Sequence, residues 1–493
     1  MLNDATLAAA AVWLLALVIA SLTVWRWASP RAYAHPILAI AGAAAVARAV
    51  PTLVLDRGLP FDIEAHWWVG SVALAGRDVY TDPLVVSGNT NRYPYPPLLH
   101  EYISASLVRL SHGDRSLFLI LDKLAPALCG VGIAVVLRAI ACRLGRAPDE
   151  ALRLGLLYAV NPLPVLVTAY HGQFEEIPVL GIVLALLVLL PSGDRRRGVG
   201  ALIGSALLLG LAIAYKLWPA LFLPPLLLLA PRWGGGRGRA GALGGLARAW
   251  ALYGALAAAP LIAVIGVYEP AFEHSSLFAR ARQVAGAHGT LTHRLKDDHM
   301  LYNILHYQGS QGFCWGYVSA IGRCWDHVWL HANHPNRAAE LNSQLLKATL
   351  LVVVAVLLWR RRPLEGLVAL PLAFYLFSPG WGPNYMIWVL PFALLLSSGL
   401  AVRYTAVMTP LIALTYLDSL YASFNHDNFS WTVLKPLEAA LGLLAWAGVA
   451  VILAQAYRVG GRARRERAAP VAPGRQPVDE PAYRTVYGTQ TGL

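Results

Sequence analysis

Apolar residues fill this chain in long, nearly unbroken blocks, and the short stretches between them carry most of its arginine. Several blocks reach the roughly 20 residues that a helix needs to cross about 30 Å of hydrocarbon, and runs of that length exclude the strands of a closed barrel. The pattern predicts helices over 7–26, 36–55, 116–140, 151–169, 177–191, 199–214, 217–231, 250–268, 346–360, 364–378, 385–400, 403–421 and 435–457. That is an all-α integral membrane protein, a bundle of about thirteen transmembrane helices in one domain over 1–460. Two long connections, 56–115 and 269–345, mix apolar and aromatic positions such as Trp67, Trp68, Val72 and Leu74, then Leu98, Leu99, Tyr102, Ile103 and Leu107. Such spacing fits ordered helices lying in the membrane interface. The tail, 461–493, is rich in Pro, Gly and Ala without apolar periodicity and reads as disordered. No internal repeat supports an inverted-repeat transporter.

Composition agrees with the pattern. With 57% hydrophobic and 14% charged residues, and a mean hydropathy of +0.52, the chain holds too little polar surface to cover a water-soluble globule. The net charge of +13 raises the question of nucleic acid, but the arginines lie between apolar blocks and not in one patch. They stand at Arg26 and Arg31, at Arg138, Arg143, Arg146 and Arg153, at Arg195 to Arg197, at Arg232, Arg237, Arg239 and Arg248, at Arg360 to Arg362, and from Arg458 to Arg467. If these segments are cytoplasmic, every one obeys the positive-inside rule. The first block carries Asp4 and no basic residue before it, so it reads as a retained helix with its N-terminus outside and not as a cleaved leader. Alternation then leaves both long connections outside, with the C-terminus in the cytoplasm.

Of four cysteines, Cys314 and Cys324 share the second outer connection, where an oxidising compartment permits a disulfide. No Cys and His spacing matches a structural zinc site. Seven histidines from His288 to His334 in that connection are irregularly spaced and read as loop polarity or acceptor contacts.

Polar, irregular sequence at membrane depth is costly unless it lines a cavity or is buried in protein. Five such stretches fall on the predicted outer side: Phe61-Asp62-Ile63-Glu64-Ala65-His66, Tyr93-Pro94-Tyr95-Pro96-Pro97, His171-Gly172-Gln173-Phe174-Glu175-Glu176, Tyr215-Lys216-Leu217-Trp218-Pro219 and Ser378-Pro379-Gly380-Trp381-Gly382-Pro383-Asn384-Tyr385. The inner ends carry little beyond arginine.

These motifs, in this order and on one side, resemble the multi-spanning, polyprenyl-phosphate-sugar-dependent glycosyltransferases of the GT-C type. Their order is most similar to family 87 of the glycosyltransferases, and more distantly to the mannosyltransferase that starts glycolipid-anchor assembly. The likeness covers roughly residues 50–400, with helix 7–26 as an N-terminal addition. It implies that Asp62 is the catalytic base, where the residues alone favour a helix N-cap or a surface acid at the start of an interfacial helix. The chemistry is compatible: phosphate leaves an anomeric carbon as an anion and needs no general acid, so one base and stabilising cations suffice, and attack from the opposite face inverts the centre.

Around that base, Lys216 is a candidate donor-phosphate contact or a snorkelling lysine. Arg48, about four turns before Asp62, is either a second phosphate contact or a partner for Asp122. His171, Gln173 and Glu175 suit a sugar pocket, as do Tyr93 and Tyr95 of the aromatic-proline motif, or else form a solvated turn. Glu64 and His66 are candidates for acceptor or carrier binding, and Asn384 and Tyr385 for the border of the carrier's entry. In an extended turn Asp62 and Glu64 would suit a divalent metal, but on a helix they diverge, so no metal or other cofactor is expected. The implied donor is a polyprenyl-phosphate sugar, mannose first, with arabinose and glucose open, and the implied acceptor is a glycolipid or envelope glycan. A transporter or flippase of a lipid-linked sugar would need a similar cleft, though with polar groups on both sides of the membrane.

Overall fold

The computed structural model describes residues 4–27, 35–53, 60–86, 95–191, 198–229, 239–268, 300, 345, 348–356, 363–378, 382–425 and 434–468. Among these the secondary structure is helical, without strands. Seven helical stretches are long and apolar enough to cross a membrane: Ala9–Arg26, Pro36–Leu53, Arg115–Arg143, Pro148–Tyr170, Ala247–Gly266, Ser398–Leu417 and Pro436–Val459. Shorter apolar stretches occur at Glu176–Leu189, Val199–Tyr215, Trp218–Leu229, Pro363–Phe377 and Pro383–Leu396. The protein is therefore an all-α protein of membrane character.

In chain order the longer helices are α1 (Asp4–Trp27), α2 (Pro36–Leu53), α3 (Pro60–Leu74), α4 (Ala105–Leu110), α5 (Arg115–Arg143), α6 (Pro148–Ala159), α7 (Glu176–Leu189), α8 (Val199–Tyr215), α9 (Leu223–Leu229), α10 (Arg239–Val267), α11 (Pro363–Phe377), α12 (Leu390–Leu396), α13 (Ser398–Asn425) and α14 (Lys435–Ala468). Three predicted segments prove composite at prolines, whereas Pro51, Pro126, Pro260, Pro371 and Pro410 lie inside continuous helices. The segment 151–169 breaks at Asn161-Pro162, where the Asn161 side chain accepts from the Leu163 N–H, and resumes as a π-helix over Val165–Tyr170. A proline lacks the N–H that would continue the ladder, so a side-chain cap takes over. Segments 217–231 and 385–400 likewise begin as 3₁₀ turns, Trp218–Phe222 and Pro383–Ile387, before α9 and α12. α14 continues to Ala468, into the stretch read from sequence as the start of a disordered tail.

One large apolar core joins α2 with α5 through α14. Glycines set the closest crossings, as small residues do in membrane bundles: a Cβ on Gly155 would meet Ile40 at 2.6 Å and the Ala134 carbonyl at 2.9 Å, drawing α2, α5 and α6 together. α1, the predicted addition, is tied on by Trp13 Nε1 donating to the Ala47 carbonyl (3.2 Å) and Ser21 Oγ to that of Val160 (3.0 Å).

A second, smaller core lies at one end of the bundle. Val69, Val72, Val79, Tyr80, Val85 and Leu99 from the first long connection pack on Phe174 and Tyr215. The part of that connection over 60–86 and 95–114 is thus ordered, as expected, with α3, the π-helix Leu98–Ser104 and α4 forming a layer over the bundle end. Its loop is pinned by Asp78, whose carboxylate accepts from Tyr268 Oη (2.8 Å), the Tyr80 N–H (3.0 Å) and Thr81 Oγ1 (2.9 Å). Of the second long connection only residues 300 and 345 are described.

Gly130 of α5 faces α7 so closely that an added methyl would overlap the Glu176 carboxylate and the Arg48 guanidinium. Gly130→Ala should therefore cost about 1–3 kcal/mol by overpacking, read as a lowered unfolding midpoint of the detergent-purified protein; an unchanged midpoint would mean that α5 and α7 are not in this contact.

Candidate functional site

The site is organised by the turn from His171 to Glu176. After the π-helix the chain reverses through Gly172, at φ +89°, a conformation that L side chains rarely adopt. Space forbids a side chain there as well, since a Cβ would meet Ile63 Cδ1 at 2.6 Å. Ile63 follows Asp62 in the first turn of α3, so the glycine brings that helix end down onto the turn.

Glu175 and Glu176, consecutive and both fully buried, are satisfied in different directions. Glu175 forms an ion pair with Lys216 and accepts from Asn384 Nδ2 (2.6 Å), Trp218 Nε1 (2.8 Å) and Trp388 Nε1 (3.1 Å). The two indoles stack at 4.0 Å between centroids, and Tyr385 stacks on Trp388 at 4.4 Å. Glu176 pairs with Arg48 Nη2 (2.7 Å) and accepts from Tyr158 Oη (2.9 Å) and Thr168 Oγ1 (2.7 Å), while Arg48 Nη1 also donates to the Ala159 carbonyl (3.0 Å). A buried charge costs several kcal/mol unless its lone pairs are taken up, and here each carboxylate has a cation and at least two further donors.

Phe174 is the hinge between bundle and covering layer. Its ring touches His66 (centroids 4.6 Å apart), Tyr95 (5.6 Å) and Tyr215 (5.5 Å). The Lys216 ammonium lies 4.7 Å from both the Phe174 and Tyr95 ring centres, a cation–π arrangement that leaves its charge near the layer. Tyr95 is held through its carbonyl, which accepts from Tyr80 Oη (2.6 Å). His66 Nδ1 lies 3.0 Å from Asp122 Oδ2 of α5, and both residues are buried.

No protein-family model and no curated protein sequence matches this chain. What the site can do has to come from its own groups.

Six of the sequence-selected residues, His66, Tyr95, Gln173, Glu175, Lys216 and Asn384, meet around the one turn. Gln173 is 4% exposed and its Oε1 has no hydrogen-bond partner among the described residues. His171, also selected, turns to Tyr416 of α13, with Nδ1 3.0 Å from the hydroxyl. Asp62 stands in the first turn of α3, but its side chain, Tyr93, Cys314 and Cys324 lie outside the described residues. The expectation of Arg48 beside Asp122 is corrected: Arg48 belongs to Glu176, and Asp122 to His66. With its guanidinium enclosed, Arg48 acts on the site by anchoring α7 and not as an open phosphate contact. Glu64 is half-exposed and paired with Arg115 at the start of α5, outside the Phe174 cluster. Among the described residues no three His, Cys, Asp or Glu side chains converge as a metal site would require.

Sequence reasoning missed Trp388, Tyr158 and Thr168 as carboxylate donors, and the buried Lys123, whose Cγ lies 3.5 Å from the position of a Gly172 Cβ. A signal existed for the pairings: two adjacent carboxylates before an apolar helix demand two cations, and Arg48 and Lys216 are isolated in apolar surroundings.

Lys216→Met should leave the Glu175 charge unpaired in the interior and cost about 3–5 kcal/mol, while Lys216→Met/Glu175→Gln should recover most of it. Thermal unfolding of the four proteins of this cycle in one detergent measures the coupling, and strict additivity would contradict the pair.

Proposed function

We propose that this chain is a polyprenyl-phosphate-sugar-dependent glycosyltransferase with its active site between α3 and the turn His171–Glu176. The observation that carries the reading is the convergence of the aromatic-proline loop, the α3 helix end, the Gly172 turn, Lys216 and Asn384 on Phe174 and Glu175. These are the segments whose order resembles family 87, and nothing in their sequence spacing required them to meet.

In this reading about thirteen helices cross the membrane, with the N-terminus outside and the C-terminus in the cytoplasm. The five shorter apolar stretches and the helical residues 348–356 complete the seven longer helices. The first long connection then covers the extracytoplasmic end of the bundle. A carrier's isoprenoid tail remains among lipids while its phosphate approaches Lys216. Glu175 takes one of the three ammonium donors, which leaves others to stabilise the departing phosphate. Gln173 offers a buried carbonyl to a sugar hydroxyl, an interaction favoured because the unpaired acceptor already bears its desolvation cost. Asp62 removes the acceptor proton, the acceptor oxygen attacks the anomeric carbon from the opposite face, and the phosphate leaves with its electron pair. Mannose is the proposed sugar, and a glycolipid or cell-envelope glycan the acceptor.

Purified protein incubated with polyprenyl-phosphate-[¹⁴C]mannose and a lipid extract should pass label to an acceptor, with turnover lost in correctly folded Asp62→Ala and Asp62→Asn. Retained turnover in either variant would remove Asp62 as base. Movement of labelled donor across vesicles without a new glycosidic bond would instead make the protein a flippase.

A further inference from the structure

The buried pair His66 and Asp122 is not used by the mechanism above, and its geometry is that of an oriented imidazole. A carboxylate only accepts, so the 3.0 Å contact assigns the proton to Nδ1 and leaves Nε2 as the basic nitrogen. Asp122 is the one hydrogen-bond partner of the His66 ring among the described residues. One side of the imidazole is covered by Phe174, the same ring that carries the Lys216 ammonium. Positions 62 and 66 are one helical turn apart and so share a face of α3.

We propose that His66, oriented by Asp122, receives the acceptor proton from Asp62 and thereby resets the base for each turnover; this rests on the glycosyltransferase reading. In the first step the acceptor O–H bond breaks, its proton goes to the Asp62 carboxylate, and the oxygen's electron pair forms the bond to the anomeric carbon. The anomeric carbon–oxygen bond to phosphate breaks with its pair on the phosphate. In the second step the proton passes from Asp62 to His66 Nε2, and the imidazolium so formed faces the Asp122 carboxylate until water removes the proton. His66 acts through Asp62 and is thus a positioning and relay residue. Histidine suits the task because one ring nitrogen can accept a proton while the other donates. Among the described side chains, the charged groups on the elements packed against α3 include Arg109 of α4 and Arg115, Asp122 and Lys123 at the same end of α5; Glu64 is on α3 itself, and Glu175 with Lys216 lies beyond Phe174.

The test is the pH dependence of kcat/KM for mannosyl transfer in wild type, His66→Gln and Asp122→Asn. An already protonated His66 cannot take the proton, so the wild-type profile should show an acid limb. His66→Gln should lower the plateau by about 10²-fold or more and abolish that acid limb, and Asp122→Asn, by favouring the wrong tautomer, should lower it similarly. A reduced plateau that keeps the wild-type limb would show a merely architectural role and overturn the relay, as would an unaltered rate. ¹⁵N-histidine spectra give an independent reading: His66 should show the Nδ1–H tautomer and lose it in Asp122→Asn. No transfer by wild type with that spectral change present would sink the glycosyltransferase reading, whereas no spectral change would sink the dyad itself.

Discussion

Two adjacent carboxylates that have to be satisfied in opposite directions set the terms for the rest of this structure. Glu175 and Glu176 stand where the π-helix Val165–Tyr170 has ended and α7 begins, at zero solvent exposure. Neither could be buried alone, because an unpaired charge in a low-dielectric interior costs several kcal/mol, a large fraction of a domain's net stability. Their partners come from distant parts of the chain, Arg48 on α2 for one and Lys216, Trp218, Asn384 and Trp388 for the other. Three segments distant from the dipeptide are thereby committed to one place, and the bundle has to close around them.

That commitment also explains why the polar groups are useful where they stand. Glu176 and Arg48 sit inside the bundle and act as an anchor, whereas Glu175 and Lys216 sit under Phe174, beside the covering layer of α3 and the loop to Tyr95. The same dipeptide therefore divides into an architectural half and a half that faces the proposed chemistry. Gly172, three residues earlier, is constrained twice over, by its backbone conformation and by Ile63, so the end of α3 that carries position 62 is set by the Ile63 side chain packing on a glycine. Preorganisation of this kind is what a reaction driven by placement and electrostatics requires.

Much of the architecture was legible from apolar periodicity, because lipid admits only helices long enough to satisfy their own backbone. The seven longest segments emerge near their predicted bounds, and helical structure in the first long connection was visible in its mixed aromatic spacing. Periodicity misjudged segments such as 217–231 and 385–400, since an apolar count does not register that Pro219 or Pro383 replaces an α-helical start by a 3₁₀ turn. The candidate site was legible as a set of residue types in unusual company, not as pairs. Arg48 was matched to Asp122 by depth, but helix rotation sends it to Glu176 and leaves Asp122 to His66.

By itself the sequence determined the class of protein, the position of most helices and the short list of residues too polar for their surroundings, because transfer free energy is a local property of each segment. Only the tertiary structure decided which cation serves which carboxylate, that Phe174 joins the histidine of α3 to the lysine after α8, and that Gln173 keeps an unpaired carbonyl. Those outcomes depend on the rotation and crossing of helices more than a hundred residues apart in some cases, and contact at that range is set by packing complementarity, which no local pattern encodes.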